Sequence, residues 1–296
     1  MKAVLGLAAS LALLAAPAAA QEFGGPQPPP PPTPETTVAA AEWRAVPAEN
    51  LLVIETTRGR VLVELTPEVA PLHVERIKLL ARRGFYDNLP WHRVIDTFMA
   101  QTGDPLGNGE GQSPYPDLKA EFTFRRDPTM PFASAAEPAG ARVGFFHSLP
   151  VQTQPDAVFA TSGDGKVHGW GLYCPGVAGM ARDEGNDTAN SQFFIMRQPY
   201  PALDKRYTIW GMTVSGLEVV RALQVGDGSN GMMAQVQPDR MTRVRVAADI
   251  GGSERPTVRV LATDSARFRA MVDETRQSRG ADFSVCDLTL PTMVTN

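Results

Sequence analysis

The 296-residue chain has little cysteine, little histidine and no excess of positive charge, and each scarcity removes a class of function. Two cysteines, Cys174 and Cys286, cannot build a disulfide-dense scaffold or a four-thiolate zinc site. The four histidines, His73, His92, His147 and His168, lie far apart with no i, i+4 pairing, so no metal site is expected. With 28 basic residues against 32 acidic ones the net charge is −4, which argues against a nucleic-acid partner. No internal repeat is found. Proline is the exception, with 26 residues, as many as glycine. At 43% hydrophobic and 20% charged residues the chain is globular, and its length suits one large domain or two smaller ones.

Residues 1–20 read as an export signal. Lys2 gives a positive start, residues 3–16 are apolar without a charge, and Ala18-Ala19-Ala20 fits a small-x-small cleavage site before Gln21. An alanine-dominated stretch this short is a poor span of a ~30 Å hydrocarbon core. The expectation is therefore a cleaved, periplasmic chain (secretion being the other route) with no membrane span, and the lack of a nearby cysteine argues against a lipid anchor. Behind the signal, Pro26, Pro28, Pro29, Pro30, Pro31, Pro32 and Pro34 favour extended polyproline II, which makes no internal hydrogen bonds. Residues 21–48 read as a semi-rigid linker, with a ligand for a proline-binding partner as the alternative.

Periodic structure begins near Leu51. Residues 51–56, a turn at Arg58-Gly59-Arg60 and residues 61–65 read as a hairpin. Thr66-Pro67-Glu68 reads as a helix start with apolar Val69, Val74, Ile77, Leu79 and Leu80, ended by Gly84. Residues 91–99 alternate and lead into a glycine-rich loop at 103–111. Further strands are expected at 192–196, 207–214 and 242–247, with a second helix at 217–223. Many short strands with two helices indicate a capped β-barrel. Gly163-Asp164-Gly165-Lys166 lacks the length of a phosphate loop and reads as a turn.

Four ordered blocks carry a family resemblance. The run from Thr57 through Leu65, with Ala70-Pro71 and Gly84-Phe85-Tyr86-Asp87, is the first. Trp91-His92-Arg93-Val94-Ile95 through Phe98-Met99-Ala100-Gln101-Thr102-Gly103-Asp104-Pro105 is the second. Gly179-Met180-Ala181 with Asn190-Ser191-Gln192-Phe193-Phe194-Ile195 is the third, and Leu203-Asp204, Tyr207 and Gly211-Met212 the fourth. Over about 150 residues the chain resembles the cyclophilin-type peptidyl-prolyl isomerases. The resemblance implies a mainly β fold: an eight-stranded antiparallel barrel capped by two helices, spanning residues 49–250, with an external peptide groove. It implies Arg93, Gln101 and Phe98 as catalytic residues, and Met99, Ala181, Arg182, Gln192, Phe194, Leu203 and Tyr207 as substrate-binding ones. It also implies a cofactor-independent isomerase, acting as a monomer on proline-containing polypeptides.

The chemistry is consistent with that set. Turning an Xaa-Pro bond crosses a barrier of about 18–20 kcal/mol because the twisted amide loses resonance. No bond breaks, so a fixed guanidinium that donates to the prolyl nitrogen is enough, with Gln101 orienting it and Gln192 binding peptide backbone. The chain also departs from the family. Arg182-Asp183 follows Ala181 where asparagine is common, Ala202 stands where an aromatic is frequent, Tyr207 replaces a histidine, and Asn190 replaces glycine. Those changes leave a non-catalytic binding module, or holdase, as the alternative reading.

Two additions stand out. About 50 residues, 123–175, are inserted and carry Phe145, Phe146, Val158, Phe159 and Trp170, more aromatic than a disordered loop. They are read as a folded excursion that could roof or extend the groove. The tail, 251–296, reads as a strand at 258–261, a helix capped by Thr263 or Asp264 and ended by Gly280, and a strand at 283–290, packed on the barrel. In an oxidising compartment Cys174 and Cys286 are a possible disulfide joining the two additions.

Overall fold

The structure, a computed structural model, describes residues 40–295; the signal segment and the proline run lie outside them. Along the chain come strands β1 (Trp43–Ala45), β2 (Leu51–Thr56) and β3 (Gly59–Leu65), then helix α1 (Pro71–Arg82) and strands β4 (Arg93–Val94) and β5 (Met99–Thr102). An inserted group follows: β6 (Phe124–Arg126), β7 (Phe132–Ala136), β8 (Arg142–Phe146), β9 (Leu149–Thr153) and β10 (Val167–Gly171). The chain continues through β11 (Val177–Met180), β12 (Phe193–Met196), β13 (Ile209–Ser215), helix α2 (Leu217–Ala222) and β14 (Met241–Val246). It closes with β15 (Thr257–Leu261), helix α3 (Ala266–Arg279) and β16 (Thr292–Thr295).

Eight strands form one antiparallel sheet in the order β14-β2-β3-β13-β11-β12-β5-β4. It curls until its edges meet, where Trp91 N donates to Asp239 O and Met241 N to Leu89 O, each at 2.9 Å. Alternation along β2 shows how the barrel is covered. Leu52 and Ile54 point into the barrel core, whereas Leu51 and Val53 point outward and are equally buried. The outer pair packs against Val258 and Val260 of β15, which explains why β2 is apolar on both faces. Helices α1 and α2 cap the barrel through Val74, Ile77, Leu80 and Val220.

Helix α1 starts later than Thr66-Pro67-Glu68 suggests. Thr66 O accepts from Val69 N and Ala70 N in a separate turn, and Pro71 occupies the first helical turn instead. Its free N–H groups are met from afar: Glu121 accepts from Leu72 N and His73 N, each at 3.1 Å. A carboxylate at a helix N-terminus also suits the helix dipole. Residues 91–99 are not one strand, because a 95–98 turn separates β4 from β5.

The inserted residues fold into a second antiparallel sheet, β6-β10-β9-β8-β7. Phe145 and Phe146 are buried against the barrel exterior and the tail, with Phe145 meeting Phe268 of α3 edge-on at 5.7 Å. In the tail, α3 is capped by Ser265, which accepts from Phe268 N at 3.0 Å, not by Thr263 or Asp264. Residues 283–290 are not a strand. A Ser284–Asp287 capping box folds them into a 3-10 turn that buries Val285, and the strand comes later, at β16. Cys174 and Cys286 form a disulfide that spans the two additions. The linker reading of 21–48 fails at its C-terminal end: Trp43–Ala45 form β1 and pair with β15, where prolines are sparse and apolar side chains can be buried. No helix among the described residues is long and apolar enough to cross a membrane.

Candidate active site

Strands β4, β5, β11 and β12 carry one wall of an open groove, and the 201–207 segment the other. Period-two alternation sorts the adjacent phenylalanines of β12. Phe193 points into the barrel, where Tyr86, Trp91 and Trp210 meet it edge-on at 5.4, 6.2 and 5.4 Å. Phe194 points the other way, stacked on Tyr173 at 5.7 Å and edge-on to Tyr207 at 6.0 Å.

A cavity of about 390 Å³ opens over Phe194. Phe98, Met99, Leu203 and Tyr207 give it an apolar floor and walls, and Arg93, Gln101, Ala181 and Arg182 line its polar side. Gln192 lies in an adjoining chamber of about 330 Å³ that shares Gln101, Ala181 and Arg182. The structure thus brings together every residue expected at the groove. In the larger cavity it adds three the sequence reading missed: His92, Gly109 and Met232. No inserted residue lines the groove. The inserted sheet stands behind it, with Lys205 Nζ 4.4 Å over the Trp170 ring.

Arg93 is held at two points. Its Nε donates to Asn230 O at 2.8 Å and its Nη1 to Gln101 Oε1 at 3.2 Å. Among the described residues nothing accepts from its Nη2. Burial pushes the guanidinium below its ordinary value, an effect that Tyr207 opposes. It remains cationic at neutral pH because the starting value is so high. Burial likewise pushes His92 down, against the pull of Asp104, so its ring is neutral at pH 7.

Gln192 differs from its expected role as a peptide binder. Its Nε2 donates to Gly109 O and Gly111 O of the chain's own loop, both at 2.9 Å, and its Oε1 accepts from Gln101 Nε2 at 2.9 Å. Arg182 lies over Tyr207 at 4.6 Å and donates to the carbonyls of Arg206, Asp183 and Glu184. Ala202 carries no ring, and Tyr200, two positions earlier, lays its own 4.6 Å from that of Phe98. Behind this wall Asp204 accepts from Tyr173 N at 2.9 Å, and burial pushes its carboxyl up to about 6.

Residues 51–246 match the family described as cyclophilin type peptidyl-prolyl cis-trans isomerase/CLD. A probable peptidyl-prolyl cis-trans isomerase from Brucella suis is 34% identical over 217 residues, covering 69% of this chain and 86% of that protein. A peptidyl-prolyl cis-trans isomerase-like 1 protein from Aspergillus oryzae is 29% identical over 198 residues, covering 67% and 96%. The crystal structure of cyclophilin AquaCyp293 from Hirschia baltica superposes with a TM-score of 0.77 at 33% identity, covering 86% of this chain and 93% of that one. The chain belongs to the cyclophilin-type peptidyl-prolyl cis-trans isomerase family and is a peptidyl-prolyl isomerase.

Proposed function

We propose that the groove binds Xaa-Pro segments of exported polypeptides and speeds their rotation with Arg93 as the principal catalytic group. The carrying observation is the two-point clamp on Arg93 beside an apolar cavity. A proline ring fits over Phe194, between Phe98, Met99, Leu203 and Tyr207. As the amide twists, the prolyl nitrogen gains a lone pair, and Arg93 Nη2 donates to it. The planar ground state offers no such acceptor, so the interaction favours the transition state selectively. The clamp removes most of the reorganisation that a free arginine would need. Phe98 closes the ring pocket, Gln101 holds the guanidinium, and Ala181 and Arg182 border the path of the peptide.

The leader-like residues 1–20 support a periplasmic enzyme that assists the folding of exported chains. Fractionation of cells expressing the full chain tests this: a processed protein released with the periplasm supports it, and an unprocessed protein in the cytoplasm opposes it. For the chemistry, a coupled isomerisation assay on an Xaa-Pro peptide compares the chain with Arg93→Ala. Loss of most of the rate in the variant supports the reading. Peptide binding without any rate acceleration would favour the holdase alternative.

A further inference from the structure

Asp104 is wholly buried in the loop whose Gly109 lines the groove, and its carboxylate is used entirely on backbone. Its Oδ1 accepts from Leu106 N at 2.7 Å, and its Oδ2 from Asn108 N at 2.9 Å and Gly109 N at 2.5 Å. The 103–111 loop therefore wraps around one side chain. Gly111 closes the wrap, because a Cβ there would lie 1.9 Å from Asp104 Oδ1. At the other end Gly103, at φ +86°, would place a Cβ 2.4 Å from Ser191 O, and Ser191 Oγ donates to Gly103 O at 2.9 Å. The loop is thus pinned directly beside Gln192.

That placement sets a direction. A side-chain amide has one donating and one accepting end. The Gly109 and Gly111 carbonyls both hold the donating end of Gln192, which leaves its oxygen to face Gln101 Nε2. Gln101 must then turn its own oxygen toward Arg93. Reversing either amide would set N–H against N–H, or an amide nitrogen against the guanidinium.

We propose that Asp104 is a positioning residue for Arg93, acting through the 103–111 loop and the Gln192–Gln101 amide pair. The proposal rests on the reading of Arg93 as the group that assists rotation. Asp104→Asn keeps the shape but replaces one acceptor with a donor, which opposes the N–H groups it must satisfy. The loop carbonyls shift and the amide pair loses its fixed direction.

The test is a double-mutant cycle of Asp104→Asn with Arg93→Ala, reading kcat and KM in the coupled Xaa-Pro assay. Asp104→Asn alone should lower kcat about tenfold, the scale of one misdirected hydrogen bond, with KM little changed. In the Arg93→Ala background it should cost nothing further. A general structural defect would lower activity in both backgrounds, and that outcome overturns the proposal, as does an unchanged kcat. If Arg93→Ala itself keeps full activity, the reading of Arg93 fails. If Arg93→Ala is impaired and Asp104→Asn is not, the positioning role alone fails. Should Asp104→Asn not fold, Gln192→Met decides: it leaves Asp104 and the loop's own bonds intact but offers neither donors to Gly109 and Gly111 nor an amide oxygen to Gln101 Nε2. It should show the same loss in kcat, and normal kcat in it overturns the proposal.

Discussion

Arg44, on the first strand, forks onto Glu64 of the barrel with bonds of 2.7 and 2.8 Å, and Ser148 of the inserted sheet donates to the same carboxylate. Three segments far apart in sequence therefore meet at one carboxylate whose side chain is 5% exposed. Removing one partner of such a pair leaves the other charge buried and uncompensated. Glu64→Ala should lower the unfolding free energy by about 3 kcal/mol, the low end for buried pairs because Arg44 keeps some solvent contact. A joint Arg44→Met and Glu64→Leu variant should recover most of it. Denaturant unfolding measures both, and an unshifted midpoint in Glu64→Ala would contradict this account.

The disulfide between Cys174 and Cys286 closes a sequence separation of 112 residues. Cross-linking across so long a loop restricts the unfolded chain and contributes about 2–5 kcal/mol. Cys286→Ser should melt several degrees lower than the parent, and reduction of the parent should reproduce that lower Tm. A parent melting curve indifferent to reductant would show that the cross-link carries no stability.

Tyr200 packs its ring against Phe98 at the edge of the groove. Tyr200→Ala removes the ring that braces Phe98, while leaving Arg93 and Gln101 untouched. An aromatic pair contributes about 0.5–1.5 kcal/mol beyond buried area. KM for an Xaa-Pro peptide should therefore rise about two- to tenfold with kcat preserved. A fall in kcat with unchanged KM would move Tyr200 from substrate binding into the chemical step.

Asp204 gives the wall behind Leu203 a pH signature. Burial raises its carboxyl from the ordinary 3.8 to about 6, so between those values the folded chain holds the proton more tightly than the unfolded one. The stability it contributes is complete below about pH 4 and is lost as pH rises through 6. Asp204→Asn keeps an acceptor for Tyr173 N without a charge to bury. Its Tm relative to the parent should climb between pH 4 and pH 7 and then level off. A difference that stays flat across that range would contradict the raised value.

Much of the groove is legible in the sequence because its residues cluster. Arg93, Phe98, Met99 and Gln101 sit within nine positions, and alternation along β12 separates Phe193 from Phe194. The contacts that complete the site leave no such trace. Asn230 holds Arg93 through a main-chain carbonyl, which any residue could supply, and Gln192 is occupied by carbonyls of glycines. Glu121 caps α1 from 48 positions away, a pairing that no local capping pattern can express. Residues 283–290 mislead for a related reason. Their apolar side chains suit a strand, but the Ser284–Asp287 box holds the backbone in a 3-10 turn instead of a ladder.

The clamp on Arg93 is tested most directly by the rate of Xaa-Pro isomerisation in the purified chain, read beside Arg93→Ala and Arg93→Lys. The uncatalysed bond turns over in tens to hundreds of seconds. The parent should be far faster, Arg93→Ala should lose about 10²-fold or more in kcat, and Arg93→Lys should recover little, since its donors radiate from one nitrogen whereas the guanidinium spreads them over Nε, Nη1 and Nη2. Full activity in Arg93→Ala would contradict the account at its centre.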